Sequence, residues 1–262
     1  MTSDVVLLER PRPHVAVVTI NRPEKRNAVN REAVRRLAEA WFTIKDDADI
    51  WVAVLTGAGD AAFCSGHDLG ELGRTLPEDG WRPPLRGADA FALAALRGVD
   101  LAIPVIAAVN GYCLGAGFAL ALACDLRIGA TNASFGCTEV RYARMAGAQA
   151  AHLAHLLPPG PALHLTLTGD AIDADTAHRW GLISQVTQRG AALEEALALA
   201  ERMVTAGPTL LRETKAFMRR AAQLSREEAN ALEALYSERI SRAPEYIAQE
   251  RAIAARGGGT PT

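Results

Sequence analysis

No charged residue occurs between Asp100 and Asp125, and this stretch constrains the fold more than any other part of the chain. By length alone it could cross a bilayer. Its internal order argues against that. Pro104 precedes Val105-Ile106-Ala107-Ala108-Val109, Asn110-Gly111 then turns the chain, and Leu114-Gly115-Ala116-Gly117-Phe118-Ala119-Leu120 continues with helical character. The reading is a buried strand, a turn and a buried helix. A protein that hides such a unit needs a sizeable core. At 262 residues a chain buries roughly 70–75% of its unfolded surface.

Strands are expected over residues 14–20, 50–56, 105–109 and 126–128, where short runs rich in β-branched or other apolar residues recur. Between the first two, apolar residues at 34, 37, 41 and 44 mark one helix face, with Asn30 as N-cap. A helical pattern also covers 88–99. Residues 72–86 carry Pro77, Pro83 and Pro84 and read as a long loop. After Gly147 helical patterns dominate, over 148–156, 161–168, 175–180, 193–205, 209–224 and 226–242, with Pro161, Pro208 and Pro244 at helix starts. The expected class is α/β, with residues 1–200 as the core and 201–262 as a C-terminal helical region, working as one unit. Those last helices are amphipathic. They either dock on another subunit or cover their own core.

Several function classes are excluded at this stage. Lys plus Arg number 28 against 30 Asp plus Glu, a net charge of −2, which leaves no electrostatic footprint for nucleic acid. Cys64, Cys113, Cys124 and Cys137 form no CxxC pair, and buried free thiols are the simplest reading. The first apolar run is four residues between Asp4 and Glu9, too short for a signal peptide. A reduced cytoplasmic setting is the expectation, with no membrane and no metal. Gly57-Ala58-Gly59 and Ala62 match GxGxxA after a strand. No helix convincingly opens after them, and the acidic partner of a dinucleotide site is missing, so a tight turn is preferred. His152 and His155 share a helix face without HExxH.

Three segments matter jointly. Ala62-Phe63-Cys64-Ser65-Gly66-His67-Asp68-Leu69 is a glycine-containing bend after a strand. In the uncharged stretch, a helix beginning near Gly115 would aim unpaired N–H groups and its positive end at one spot. A second N–H from the Gly66-His67 bend would complete a two-donor hole for a developing oxyanion. Phe135-Gly136-Cys137-Thr138-Glu139-Val140 supplies a carboxylate in apolar company, suited to moving a proton. Taken alone, each glycine segment is better explained by packing, and Glu139 is at least as well explained as an exposed residue at a helix start.

Together these segments resemble the crotonase superfamily, the enoyl-CoA hydratase/isomerase family. So do Asn21-Arg22-Pro23-Glu24-Lys25-Arg26-Asn27-Ala28, Leu167-Thr168-Gly169-Asp170 and Trp180-Gly181-Leu182-Ile183. The resemblance spans nearly the whole chain in matching order. It implies a crotonase-like spiral of ββα turns, and C-terminal helices that build a homotrimer or a dimer of trimers. It implies an acyl-CoA thioester as ligand and an enolate-like intermediate. No cofactor is implied beyond coenzyme A within the substrate. The oxyanion donors would be the backbone N–H groups of His67 and Ala116, and the acid/base would be Glu139. The coenzyme A and substrate groove would involve Lys25, Arg26, Ala28, Ser65, Asp68, Leu69, Leu114 and Gly115, with Arg251 and Arg256 as weaker candidates for phosphate contacts.

One departure stands out. Hydratases of the family carry a further catalytic glutamate, and its position falls here on Ala119. The family's GGTQ stretch is here Ala148-Gln149-Ala150-Ala151. With a single carboxylate the reading leans to double-bond isomerisation. One alternative is a hydratase or other lyase that recruits a second acid from the loop around residues 68–80, from Asp68, Glu71 or Asp79. Another is a non-catalytic acyl-CoA-binding protein.

Overall fold

The computed structural model describes residues 4–70 and 90–255. Residues 72–86, Glu71, Asp79, Arg256 and the C-terminal tail therefore lie wholly outside the described residues.

The chain opens with β1 (Val6–Arg12) and β2 (Val15–Ile20), an antiparallel pair. α1 (Arg31–Asp46) starts where the sequence predicts, because Asn30 Oδ1 accepts the Ala33 N–H at 2.9 Å. Then follow β3 (Val52–Gly57), β4 (Ala62–Cys64), α2 (Ala90–Ala94), β5 (Val105–Val109), β6 (Tyr112–Leu114) and α3 (Ala116–Ala123). Next come β7 (Leu126–Ala130), β8 (Ser134–Gly136), a 3-10 turn (Thr138–Tyr142), α4 (Gly147–Leu156) and α5 (Pro159–Thr168). β9 (Ile172–Asp173), α6 (Ala174–Arg179), β10 (Gln185–Thr187) and α7 (Ala192–Val204) close the core. α8 (Pro208–Ala221), α9 (Arg226–Ser241) and α10 (Pro244–Ala255) form the C-terminal helical region.

The strands make two sheets, ordered β1-β2-β3-β5-β7-β10 and β4-β6-β8-β9. From β3 onward one unit repeats: a strand in the large sheet, a strand in the small sheet, then a helix. Each repeat moves one place along both sheets, so β3, β5 and β7 are parallel neighbours, as are β4, β6 and β8. This is the expected ββα spiral of an α/β protein. The near-continuous apolar runs follow from burial on both faces of the large sheet. Val15 and Val17 face α7 with Ala192, Ala196 and Leu197, while Ala16, Val18 and Ile20 face the main core with Leu37 and Trp41.

The uncharged stretch is β5, β6 and α3, as read from the sequence. In α3 every residue from Ala116 to Leu122 is buried. Among the described residues no helix is long and apolar enough to cross a membrane. α8, α9 and α10 bury no residue. They leave Leu210, Met218, Leu235, Tyr246 and Ile247 exposed. Lys215 fixes α8 to the core through Asp125 at 2.7 Å and Ile103 O at 2.6 Å.

Candidate active site

The spiral brings the three sequence segments together because each follows a strand of the small sheet. The Gly66 bend leaves β4, α3 leaves β6, and Glu139 leaves β8.

The loop before the first bend is fixed by two buried asparagines. Asn27, with no exposure, donates to Ala58 O at 3.0 Å and Ala62 O at 2.7 Å, and accepts from Arg22 N–H at 3.0 Å. Asn110 donates to Gly57 O at 2.7 Å and Gly59 O at 2.6 Å. These bonds account for the Gly57-Ala58-Gly59 pattern as a tight turn. The bend itself is held by a bridge to Val29, whose N–H donates to Gly66 O at 2.8 Å and whose O accepts from Asp68 N–H at 2.9 Å. These two rungs flank His67, so the His67 amide faces away from Val29. Asp68 pins the far side of the bend: it pairs with Arg22 at 2.9 Å, and Arg22 also donates to Ala28 O.

Gly66 has φ +115°, a conformation open to glycine. A Cβ there would lie 3.3 Å from Leu114 O and 3.8 Å from Ala116 N. The first bend therefore touches the start of α3. No side chain caps that helix end; Gly115 precedes it with φ 52°. A Cβ on Gly115 would meet Thr138 Oγ1 at 3.2 Å and Glu139 Oε1 at 3.4 Å. Glycine is needed at 115 both for its backbone and for the carboxylate beside it.

Glu139 is half-buried. Its Oε1 accepts from Gln149 Nε2 at 2.5 Å. Its Oε2 is shut off from solvent and makes no hydrogen bond among the described residues. Leaving a buried acceptor unpaired costs about 1–3 kcal/mol, so such an atom needs a reason to be there. Position 119 is a buried alanine on α3 at 3% exposure, with no acid to face it from that site.

The neighbouring thiols are not alternative nucleophiles. Burial pushes Cys64 up to about 12. Burial does the same to Cys137, to about 12, with the Glu139 charge adding to it. Both stay neutral at physiological pH.

The residues expected in a coenzyme A groove lie on the segment before α1, the Gly66 bend and the end of β6. Ala28 N–H donates to Lys25 O at 3.0 Å, and Ser65 N–H donates to Arg26 O at 3.1 Å. Lys25 and Arg26 are exposed, Ala28 is buried and Ser65 is half-buried. The Arg26 guanidinium lies 5.5 Å over the ring of Tyr112. Leu69 is exposed, Leu114 half-buried and Gly115 buried. The His67 ring packs on Phe91 of α2 at 4.8 Å. Arg251 is exposed on α10. Tyr142 and Met145, just after Glu139 in the chain, are both exposed.

Sequence reasoning missed the role of Gln149. In the sequence Gln149 stands out only as part of the departure from GGTQ. No local signal could have found it, because its partners are ten and 34 positions away.

A family profile described as enoyl-CoA hydratase/isomerase matches residues 11–244. The chain is 41% identical over 207 residues to (E)-benzylidenesuccinyl-CoA hydratase from Thauera aromatica, covering 77% of each. It is 34% identical over 235 residues to crotonyl-CoA hydratase from Syntrophomonas wolfei, covering 89% of this chain and 88% of that one. Among solved structures, enoyl-CoA hydratase from Bacillus anthracis superposes with a TM-score of 0.87 at 30% identity, covering 98% of both chains. An enoyl-CoA hydratase from Mycobacterium tuberculosis H37Rv gives 0.85 at 33%, covering 99% of both.

Proposed function

Because the chain belongs to the enoyl-CoA hydratase/isomerase family, we propose that it moves a proton on an acyl-CoA thioester, with Glu139 as single acid/base. The thioester oxygen sits between the amides of His67 and Ala116. Glu139 Oε2 takes a proton from C2 of a 3-enoyl-CoA, and the electron pair spreads into a dienolate whose oxygen those amides hold. The same carboxyl returns the proton at C4, and the double bond ends between C2 and C3. Atoms and charge balance without a cofactor. Lys25, Arg26, Ala28, Ser65, Asp68, Leu69, Leu114 and Gly115 frame the coenzyme A and thioester. In this arrangement the Asp68 carboxylate acts through Arg22 to hold the bend.

The observation that carries the reading is Glu139, with one buried oxygen unpartnered among the described residues, beside an alanine at 119. General acid–base help of this kind contributes about 100- to 10,000-fold. Glu139→Gln should therefore lose about that much in 3-enoyl-CoA isomerisation, followed by the absorbance of the conjugated product. An undiminished rate refutes the assignment.

A second reading is hydration of a 2-enoyl-CoA, favoured by the names of the relatives, which are hydratases. Formation of 3-hydroxyacyl-CoA from crotonyl-CoA faster than isomerisation would select it. In either case the exposed apolar side chains of α8, α9 and α10 support assembly as a homotrimer or a dimer of trimers, measurable by light scattering.

A further inference from the structure

Gln149 sits on α4 with only 3% exposure. Its side-chain nitrogen donates twice, to Glu139 Oε1 at 2.5 Å and to Gly115 O at 2.8 Å. An amide NH2 carries two hydrogens, so both are committed. Gly115 O belongs to the same peptide unit as the Ala116 N–H. That unit is planar and trans, so the oxygen and the N–H point in opposite directions from one rigid plate. A donor pressed on the oxygen fixes the tilt of the plate and polarises the N–H at the other end.

We infer that Gln149 is a positioning residue that couples the acid/base to the oxyanion peptide of the same site. By holding Oε1 it leaves Oε2 as the oxygen that exchanges the proton. By holding Gly115 O it aims the Ala116 amide at the thioester oxygen. One side chain thus sets the spacing between the group that takes the proton and the group that receives the resulting charge. This rests on the proton-transfer reading above.

The test is exchange of the C2 protons of butyryl-CoA and hexanoyl-CoA in deuterium oxide, read by mass spectrometry. Gln149→Met keeps the volume and removes both donors. It should lower kcat about 10- to 100-fold, as a misplacement of up to about 1 Å does, while KM stays within about twofold of wild type. In a Glu139→Gln background the loss caused by Gln149→Met should shrink by about fivefold or more, since contacting residues that act together are not additive. Gln149→Leu also removes both donors and adds no titratable group. Should the methionine variant not fold, it carries the same expectation for kcat and KM. Unchanged kcat in the Gln149 variants, or additive losses in the double variant, overturns the coupling. So does a rise in KM matching the loss in kcat.

The two ideas fail separately. Full exchange by Glu139→Gln, or no exchange by the wild-type protein with either thioester, overturns the function and the coupling together. A dead Glu139→Gln beside a fully active Gln149→Met overturns the coupling alone.

Discussion

A methyl group added at Gly117 tests how tightly the two bends are set. Its Cβ would stand 2.1 Å from Cys64 O and 2.7 Å from the Cys64 carbonyl carbon and Cβ. Heavy atoms in van der Waals contact sit about 3.5–4.0 Å apart, so α3 and the end of β4 must separate by at least about 1 Å. Neither element can slide freely, because Cys64, Phe118 and Leu120 are all buried in the same core. Overpacking of this kind costs about 1–3 kcal/mol. For a chain of this size a 2 kcal/mol loss lowers the melting temperature by about 4–8 °C. The displacement falls between Ala116 and the bend that carries His67, so catalysis should suffer more than stability. A misplacement of about 1 Å is worth about 100-fold in rate. Gly117→Ala should therefore melt a few degrees lower and show about 1% of wild-type C2 exchange. Gly147→Ala is the control, since nothing lies within 4 Å of its would-be Cβ. Wild-type exchange and an unshifted melt for Gly117→Ala would refute the claim that this contact spaces the two amides.

Arg22→Ala removes one ion-pair partner of Asp68 and a donor to Ala28 O, with side chains 12% and 20% exposed for Arg22 and Asp68. Discounted for that partial exposure, the loss should be about 1–3 kcal/mol in urea unfolding, with kcat/KM falling as the His67 bend loosens. An unmoved urea midpoint argues against the pin. Burial raises the thiols of Cys64, Cys124 and Cys137 from the ordinary 9.0 to about 12 and Cys113 well above 9.0. A thiol kept neutral by the fold but free to ionise in the unfolded chain favours the fold fully below pH 9, and that advantage is lost as pH climbs toward 12. The urea midpoint should fall steadily over that window. Iodoacetamide at pH 8 should label none of the four in the folded protein and all of them in urea. Labelling of any one in the native state contradicts its burial.

How much of this was legible follows from the range of each interaction. Helix faces and caps are local, so apolar spacing at 34, 37, 41 and 44 and the Asn30 cap predicted α1, and the helices after Gly147 agree with expectation to within a few residues. Buried strands such as β5 announce themselves by continuous apolar runs. The small-sheet strands do not. β4, β6 and β8 are three residues each and exist only because neighbouring repeats supply their hydrogen bonds. β1 is likewise illegible: four of its seven residues are exposed, and pairing with β2 is what makes it a strand.

The chemistry divides in the same way. Residue identities decided by themselves that a carboxylate stands at 139, an alanine at 119 and small residues around 66 and 115–117. Whether those groups meet was decided only by the stacking of one spiral turn on the next, which sets Gly66 against Ala116 and Gly115 against Glu139. The same stacking lets a glutamine from α4 reach back to both. Periodicity records which side of an element is buried; it carries no record of which distant element does the burying.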